Sequence, residues 1–299
     1  MPAALDPTVQ RRRLRVELRK ARQDAKLTQR DVARAMEWSP SKLIRIESGA
    51  VNITVNDLRA LLGHYGIKDK RRIDGLVDMA RASKTTSWTE YKEVYEPAQL
   101  NYFAYESSAS IIRQYEPLIV PGLLQTEEYG RQVLEKVAGV PLDDVDLKWQ
   151  ARTRRQELHE RENPPQMFFI LDEAVIRRQV GGPGIMLRQL EQLKGSAAQP
   201  HVRLQVVPFG WGAYPGLKGP FNLLEFADPN DDDVLNLENT LGDITTRDDP
   251  EQTAPYLNTF WELEEQALSH DETLALIDAV IAGLARSGVA SEVRKSEAS

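Results

Sequence analysis

Residues 27–49, LTQRDVARAMEWSPSKLIRIESG, hold two short amphipathic segments in one register, each with its own start signal. Thr28 followed by Asp31 predicts an N-cap with an acid three residues on, opening a helix whose Val32, Ala33 and Met36 point inward. Ser39 caps a second predicted helix, with Pro40 at the first helical position, where a missing N–H costs nothing. Trp38 and Leu43 stand at the spacing of a hydrophobic staple, and Gly49 supplies a left-handed stop. With Leu43 and Ile46 inward, Ser41, Lys42 and Arg45 share the outer face. Any amphipathic helical hairpin is apolar inside and charged outside. The two caps, the staple, the glycine stop and the flanking basic helices, all in register, distinguish this one as a helix-turn-helix. Its second helix, with hydroxyl, ammonium and guanidinium groups outward, suits the DNA major groove.

Over Leu14 to Tyr65 the chain resembles the Xre/Cro-type repressor family. The resemblance implies five helices around one small core, with the third reading bases. By position, Pro40, Ser41 and Arg45 match residues that meet base edges, and Ser39 and Lys42 complete the set expected at DNA. Gln29 matches a glutamine that grips a phosphate and braces the recognition helix, and Arg22 and Glu47 match a buried ion pair. Pro40 and Ser41 depart from the glutamines that often stand there, so no base preference carries over. Further on, Thr54 with Asp57 opens a helix lined by Leu58, Leu61, Leu62 and Tyr65, and a fifth helix is expected from Lys68 to about Ser83. Arg11, Arg12 and Arg13 are expected just ahead of the first helix, as contacts to DNA or as a solvated arm.

Charge divides the 299 residues. Residues 1–84 carry 19 Lys and Arg against 10 Asp and Glu, a net of +9, whereas 85–299 carry a net of −16. Two domains follow as the expectation: a helix-turn-helix DNA-binding domain at 1–84 and a sensing or protein-interaction domain at 85–299, joined at the polar run 83–87. The basic part suits a polyanion. With no cysteine there is neither a disulfide framework nor thiolate chemistry. No stretch reaches the roughly 18 apolar residues of a membrane span. A cytoplasmic, nucleoid-associated protein without membrane partners is the expectation.

The second part mixes element types. Partial helix is expected between Trp88 and Ala104, a turn at Pro121–Gly122, a helix opening at Thr126 and a charged helix from Val145 to about Arg161. Strands are predicted at Met167–Leu171, Val202–Pro208, Phe221–Phe226 and Val234–Leu237, with a helix near Met186–Leu193 between the first two. Helices at Glu251–Ala267 and after the Ser269–Glu272 capping box precede a tail, from Ser287, that reads as mobile. The fold class is therefore an all-α five-helix N-terminal domain followed by an α+β C-terminal domain. VPGLLQTEEY (Val120–Tyr129), ARTRRQ (Ala151–Gln156), ILDEAVIRRQVGG (Ile170–Gly182) and LQVVPFGWGAYPGLKGPFNLLEF (Leu204–Phe226) resemble an actinobacterial, antitoxin-like (WhiJ-like) group of Xre regulators. The resemblance implies a DNA-bound regulator, often paired with a small protein encoded nearby, and a C-terminal domain of no agreed role.

Catalytic chemistry finds little support. None of His64, His159, His201 and His270 pairs with another at i+3 or i+4, so neither a metal nor another cofactor is expected. Asp172 and Glu173 read as a helix N-terminal pair, Gly181–Gly184 as a turn between helices and Asp231–Asp233 as a hairpin loop. Tyr129, Trp211, Tyr214 and Phe221 are candidates for an apolar ligand pocket or for ordinary core aromatics. Arg152 and Arg155 are candidates for an acidic partner or for a solvated helix face. The leading reading is a sequence-specific transcriptional regulator, a dimeric repressor on a palindromic double-stranded operator, whose C-terminal domain binds a small-molecule effector or a partner protein. The alternative is an antitoxin-like protein that neutralises a small partner and autoregulates its operon. An enzyme fused to a DNA reader lacks a converging acid–base set.

Overall fold

A computed structural model describes residues 6–49, 51–82, 87–228, 231–238, 244–247 and 249–297. Residues 83–86 of the expected linker at 83–87, and the Pro229–Asn230 pair, lie outside them. The chain divides into two units, Met1–Thr89 and Glu90–Ser299.

The first unit is all-helical: α1 (Pro7–Asp24), α2 (Gln29–Ala35), α3 (Pro40–Glu47), α4 (Val55–His64) and α5 (Lys70–Ala82). Each of the first four begins at a side-chain cap. The carboxylate of Asp6 accepts from the Thr8 N–H, and the hydroxyls of Thr28, Ser39 and Thr54 accept from the N–H three residues on. One apolar cluster joins Leu14 and Leu18 of α1, Val32 of α2, Leu43 and Ile46 of α3, Leu58, Leu61 and Leu62 of α4, and Leu76 and Val77 of α5. Trp38 packs half-buried against the same cluster, and Gly49 adopts a left-handed φ of 79° after α3. Arg11, Arg12 and Arg13 do not precede the first helix; they lie inside α1, where Arg12 is buried. The physical reason is Asp6–Pro7, the same cap-then-proline start that opens α3.

The second unit opens with α6 (Pro97–Ser108) and β1 (Ile111–Glu116), then α7 (Glu127–Gln132), α8 (Leu142–Gln156) and β2 (Gln166–Asp172). It continues with α9 (Glu173–Arg177), α10 (Pro183–Ala197) and β3 (Val202–Val207). The antiparallel strands β4 (Phe221–Glu225), β5 (Val234–Glu238) and β6 (Ile244–Arg247) follow, then α11 (Pro250–Gln266) and α12 (His270–Glu297). The six strands form one sheet in the order β3-β2-β1-β4-β5-β6. β1, β2 and β3 are parallel, as helical crossovers require; β4, β5 and β6 continue antiparallel from β1 as a meander. Sequence reading found β2 to β5 and missed β1 and β6. The helix α12 runs on to Glu297, past the point at Ser287 where a mobile tail was expected. Among the described residues no helix is long and apolar enough to cross a membrane.

Alternation sorts the strand residues between two faces. Tyr115, Ile170, Val207, Phe221, Leu223 and Leu235 pack with Phe260 and Leu263 of α11 on one. Ile112, Met167, Phe169, Leu204, Leu224 and Val234 point to the other, and all are buried. That second face also carries a polar row, because Gln114 pairs in register with Asn222 and Asn222 with Asn236. The outer edge of β3 is closed: Val206 N–H donates to the Thr273 hydroxyl at 3.2 Å and its carbonyl accepts from Leu268 N–H at 2.9 Å.

The turn at Pro215–Lys218 presses its backbone onto β1. A Cβ added at Gly216 meets the Tyr115 ring at 2.6 Å and the Tyr214 ring at 2.7 Å. Gly216→Ala is therefore expected to destabilise the chain by about 1–3 kcal/mol, as overpacking does. Urea unfolding followed by tryptophan fluorescence measures it, and an unchanged midpoint contradicts this close approach.

Candidate nucleic-acid interface

The geometry of α3 begins with a buried carboxylate. Glu47, the last residue of α3, is 3% exposed and collects donors from two other helices. Arg22 Nε donates to Oε1 at 2.6 Å and Arg22 Nη2 to Oε2 at 3.0 Å, a bidentate pair between α1 and α3. Gln29 Nε2, from the first turn of α2, donates to Oε2 at 2.7 Å. The hydrogen bond that Arg22 donates to Glu47, more than any other influence, raises the Arg22 pKa above its ordinary value. Two more arginines of α1 secure the C-terminal carbonyls of α3: Arg19 Nη2 reaches Glu47 O at 3.2 Å and Arg15 Nη1 reaches Ser48 O at 3.0 Å. Arg15, Arg19 and Arg22 stand at i, i+4 and i+7, one face of α1, so the signal for this clamp was present in the sequence but unread.

At the other end of α3, Ser39 Oγ accepts from Lys42 N–H at 3.3 Å and lies 3.1 Å from Ser41 Oγ. Pro40, Ser41 and Arg45 are exposed. Lys42, expected beside them, turns to α4: its Nζ lies 3.0 Å from Asp57 Oδ2 and 4.0 Å above the Trp38 ring. Sequence reading passed over Ile44, which is 48% exposed on the outer face of α3. Gln29, with its amide on Glu47, stands where a brace for α3 is needed.

In the second unit the residues proposed for a ligand or partner do not converge on one site. Tyr129 is fully buried, and its hydroxyl accepts from Val120 N–H at 3.1 Å. Arg152 donates to Gln125. Arg155 is taken up internally, with Nε and Nη2 donating to Glu106 at 2.7 and 2.8 Å over the Phe103 ring. It is thus neither a solvated residue nor free for an acidic partner. Phe221, on β4, is a core aromatic packed against Phe260 of α11. Trp211 and Tyr214 stack half-buried with centroids 4.9 Å apart, and the Tyr214 hydroxyl bonds Asp172 and, at 2.7 Å, Tyr115. Asp172 caps α9 through Ala174 N–H at 2.7 Å, and Glu173 accepts from Phe209 N–H at 2.7 Å.

The fold does bring two histidines together. His159 Nδ1 and His201 Nε2 lie 3.3 Å apart across 42 residues of chain, a pairing that local spacing cannot reveal. Among the described residues no third His, Asp or Glu joins them as a metal cluster. Burial first, and then the neighbouring His201, lowers the His159 pKa, against the Leu123 carbonyl and the Glu106 and Glu160 charges. Burial lowers that of His201.

Two outcomes follow from these contacts. Glu47→Ala leaves Arg22 without its counter-charge and is expected to cost about 3 kcal/mol, the low end for a broken buried pair because Arg22 keeps some contact with water. Denaturant unfolding of the variant and of wild type gives the difference; less than about 1 kcal/mol removes Glu47 from its central place. For the histidines, the folded pKa values lie below the unfolded value of about 6.5. Above that pH neither state binds the protons; below it the unfolded chain takes them up first, and stability falls until the folded rings protonate. The loss is at most about 1.4 kcal/mol per pH unit for each ring. Melting temperature should decline as the pH falls below about 7, and less steeply for His159→Gln; parallel declines count against the pair.

Residues 13–73 match a helix-turn-helix domain, and residues 99–279 match a domain of unknown function, DUF5753. No curated protein and no solved structure matches the chain. Since the longer match covers well over half of the sequence, the chain belongs to the DUF5753 family and carries a helix-turn-helix domain at its N-terminal end.

Proposed function

We propose that the protein is a sequence-specific transcriptional regulator that binds operator DNA through the outer face of α3. The observation that carries this reading is the exposure of Ser41 and Arg45 on a helix tied at its far end by Glu47, within a stretch of net charge +9. Arg45 is the base reader, its guanidinium forking onto a guanine. Ser39, Pro40 and Ser41 line the entry of α3 into the groove. Gln29 grips a phosphate as it braces Glu47 and carries no base information. Lys42, engaged by Asp57, contributes charge rather than readout.

One such unit contacts few bases, so the acting form is a homodimer on a palindromic site with half-site centres about 34 Å apart. Repression is the expected sign. The domains divide the work, residues 1–84 reading DNA and 85–299 receiving the signal. Between a small-molecule effector and a protein partner, a specific observation favours the partner. Leu118, Phe209 and Leu217 are each more than half exposed, and they follow or precede strands at the carboxyl edge of β1 and β3. The exposed arginines Arg177 and Arg178 follow β2 at the same edge. Such an edge suits the small protein of the antitoxin-like alternative. Any signal acts only through different affinity for two arrangements of the DNA readers.

Arg45→Ala is expected to weaken operator binding by about 1–3 kcal/mol and to relax one base position, whereas Gln29→Ala weakens all sequences alike. Binding titrations on selected and scrambled duplexes at fixed salt separate the two. If Arg45→Ala binds as tightly and selectively as wild type, the assignment fails.

A further inference from the structure

The outer face of α3 holds a residue that neither charge nor hydrogen bonding explains. Among the described residues of the first unit, Ile44 is the one exposed large apolar side chain, at 48%. A single exposed isoleucine is ordinary on a general protein surface. This one sits in the middle of the only face of α3 turned to solvent, and that face has two rows. Pro40, Ile44 and Ser48 follow one another at i, i+4 and i+8; Ser41 and Arg45 stand beside them at i and i+4, all five exposed.

The rotation of about 100° per residue that sends Leu43 fully inward places Ile44 outward. A β-branched side chain on a helix is also stiff at χ1, so its methyl groups are held in place before any contact is made. Of its neighbours Pro40 adds one small apolar ring and Ser41, Arg45 and Ser48 are polar, which leaves an apolar patch far smaller than one that docks a protein. The major-groove floor has a matching pattern: donors and acceptors on every base edge, interrupted by one apolar group, the thymine C5-methyl.

We infer that Ile44 is a specificity residue that packs on a thymine methyl next to the base pair read by Arg45. The inference rests on the reading of α3 as the groove-entering helix and extends it to the class of operator: each half-site carries a thymine at a fixed position beside the guanine. Burying one methyl group is worth about fourfold in affinity per half-site, and on the order of tenfold for a symmetric site.

Deletion of the methyl from the DNA tests this without altering any hydrogen bond. The full chain first selects duplexes from a random-sequence pool. The preferred duplex is then synthesised with each thymine in turn replaced by deoxyuridine, and binding is measured by fluorescence anisotropy at constant salt. Wild type should lose about fourfold per half-site at one thymine position. Ile44→Ala should lose a similar factor on the thymine duplex and discriminate no further between thymine and uracil there; Ile44→Val should keep part of the discrimination. The double-mutant cycle isolates the methyl contact from any general weakening. Being exposed, Ile44→Ala is expected to melt with wild type, and Ile44→Val answers the question should it not.

Undiminished discrimination by Ile44→Ala, or a wild type indifferent to uracil at every position, overturns the inference while leaving α3 as the reader. Recovery of no preferred sequence by wild type overturns both the inference and the reading beneath it.

Discussion

A single carboxylate sets the orientation of the N-terminal helices. Glu47 lies at the end of α3 with almost no access to water, so its charge is tolerable only if donors surround it. Arg22 supplies two and Gln29 a third, one from α1 and one from α2. The apolar cluster alone, a set of leucines, isoleucines and valines, would accept several small rotations of α3 at similar cost. The bidentate fork accepts few, because Arg22 and Glu47 must remain coplanar to keep both bonds. Hydrophobic burial supplies the stability of this unit, and the ionic network selects one arrangement within it.

A second buried arginine–glutamate pair does comparable work in the α+β unit. Arg155 of α8 meets Glu106 of α6, whose carboxylate is wholly buried and also accepts from the Tyr102 hydroxyl at 2.7 Å. Burial opposes the Arg155 charge, and the attraction of Glu106 overrides it, so its pKa rises. Gln156, next in the chain, donates to the carbonyls of Gly122 and Gln125 at 2.9 Å each. Gln189 of α10 donates to Leu124 O at 2.8 Å. The segment after β1, which has no regular ladder of its own, is thus held by side-chain amides from two helices, which satisfy the carbonyls of Gly122, Leu124 and Gln125.

Local chemistry was well written in the sequence, and long-range chemistry was not. Thr28, Ser39 and Thr54 announce their helices because an N-cap needs only a residue type and a spacing. Asp172 and Glu173 read correctly as a helix start for the same reason, and β2 to β5 announced themselves by their β-branched and aromatic runs. β1, with Arg113, Gln114 and Glu116 among its six residues, has no such run; it is a strand because β2 and β4 pair with both of its edges. Arg155 and Lys42 looked like surface charges, since nothing near them in sequence reveals Glu106 or Asp57 as partners. The pairing of His159 with His201 was invisible for the same reason. Ile44 gives no signal of its own in a pattern of inward apolar and outward polar positions, because an apolar residue that points out fits neither class.

The polar row on the second face of the sheet bears on how the antiparallel half finds its alignment. Gln114, Asn222 and Asn236 occupy neighbouring strands at one level, flanked by Ile112 and Leu224. Sliding β4 by one residue would turn Asn222 toward Phe260 and send Phe221 and Leu223 among the amides, exchanging every favourable neighbour at once. Purely aliphatic strands of this length would lose far less by such an error. The three carboxamides therefore serve as a ruler, one that penalises misalignment during assembly more than it strengthens the finished sheet.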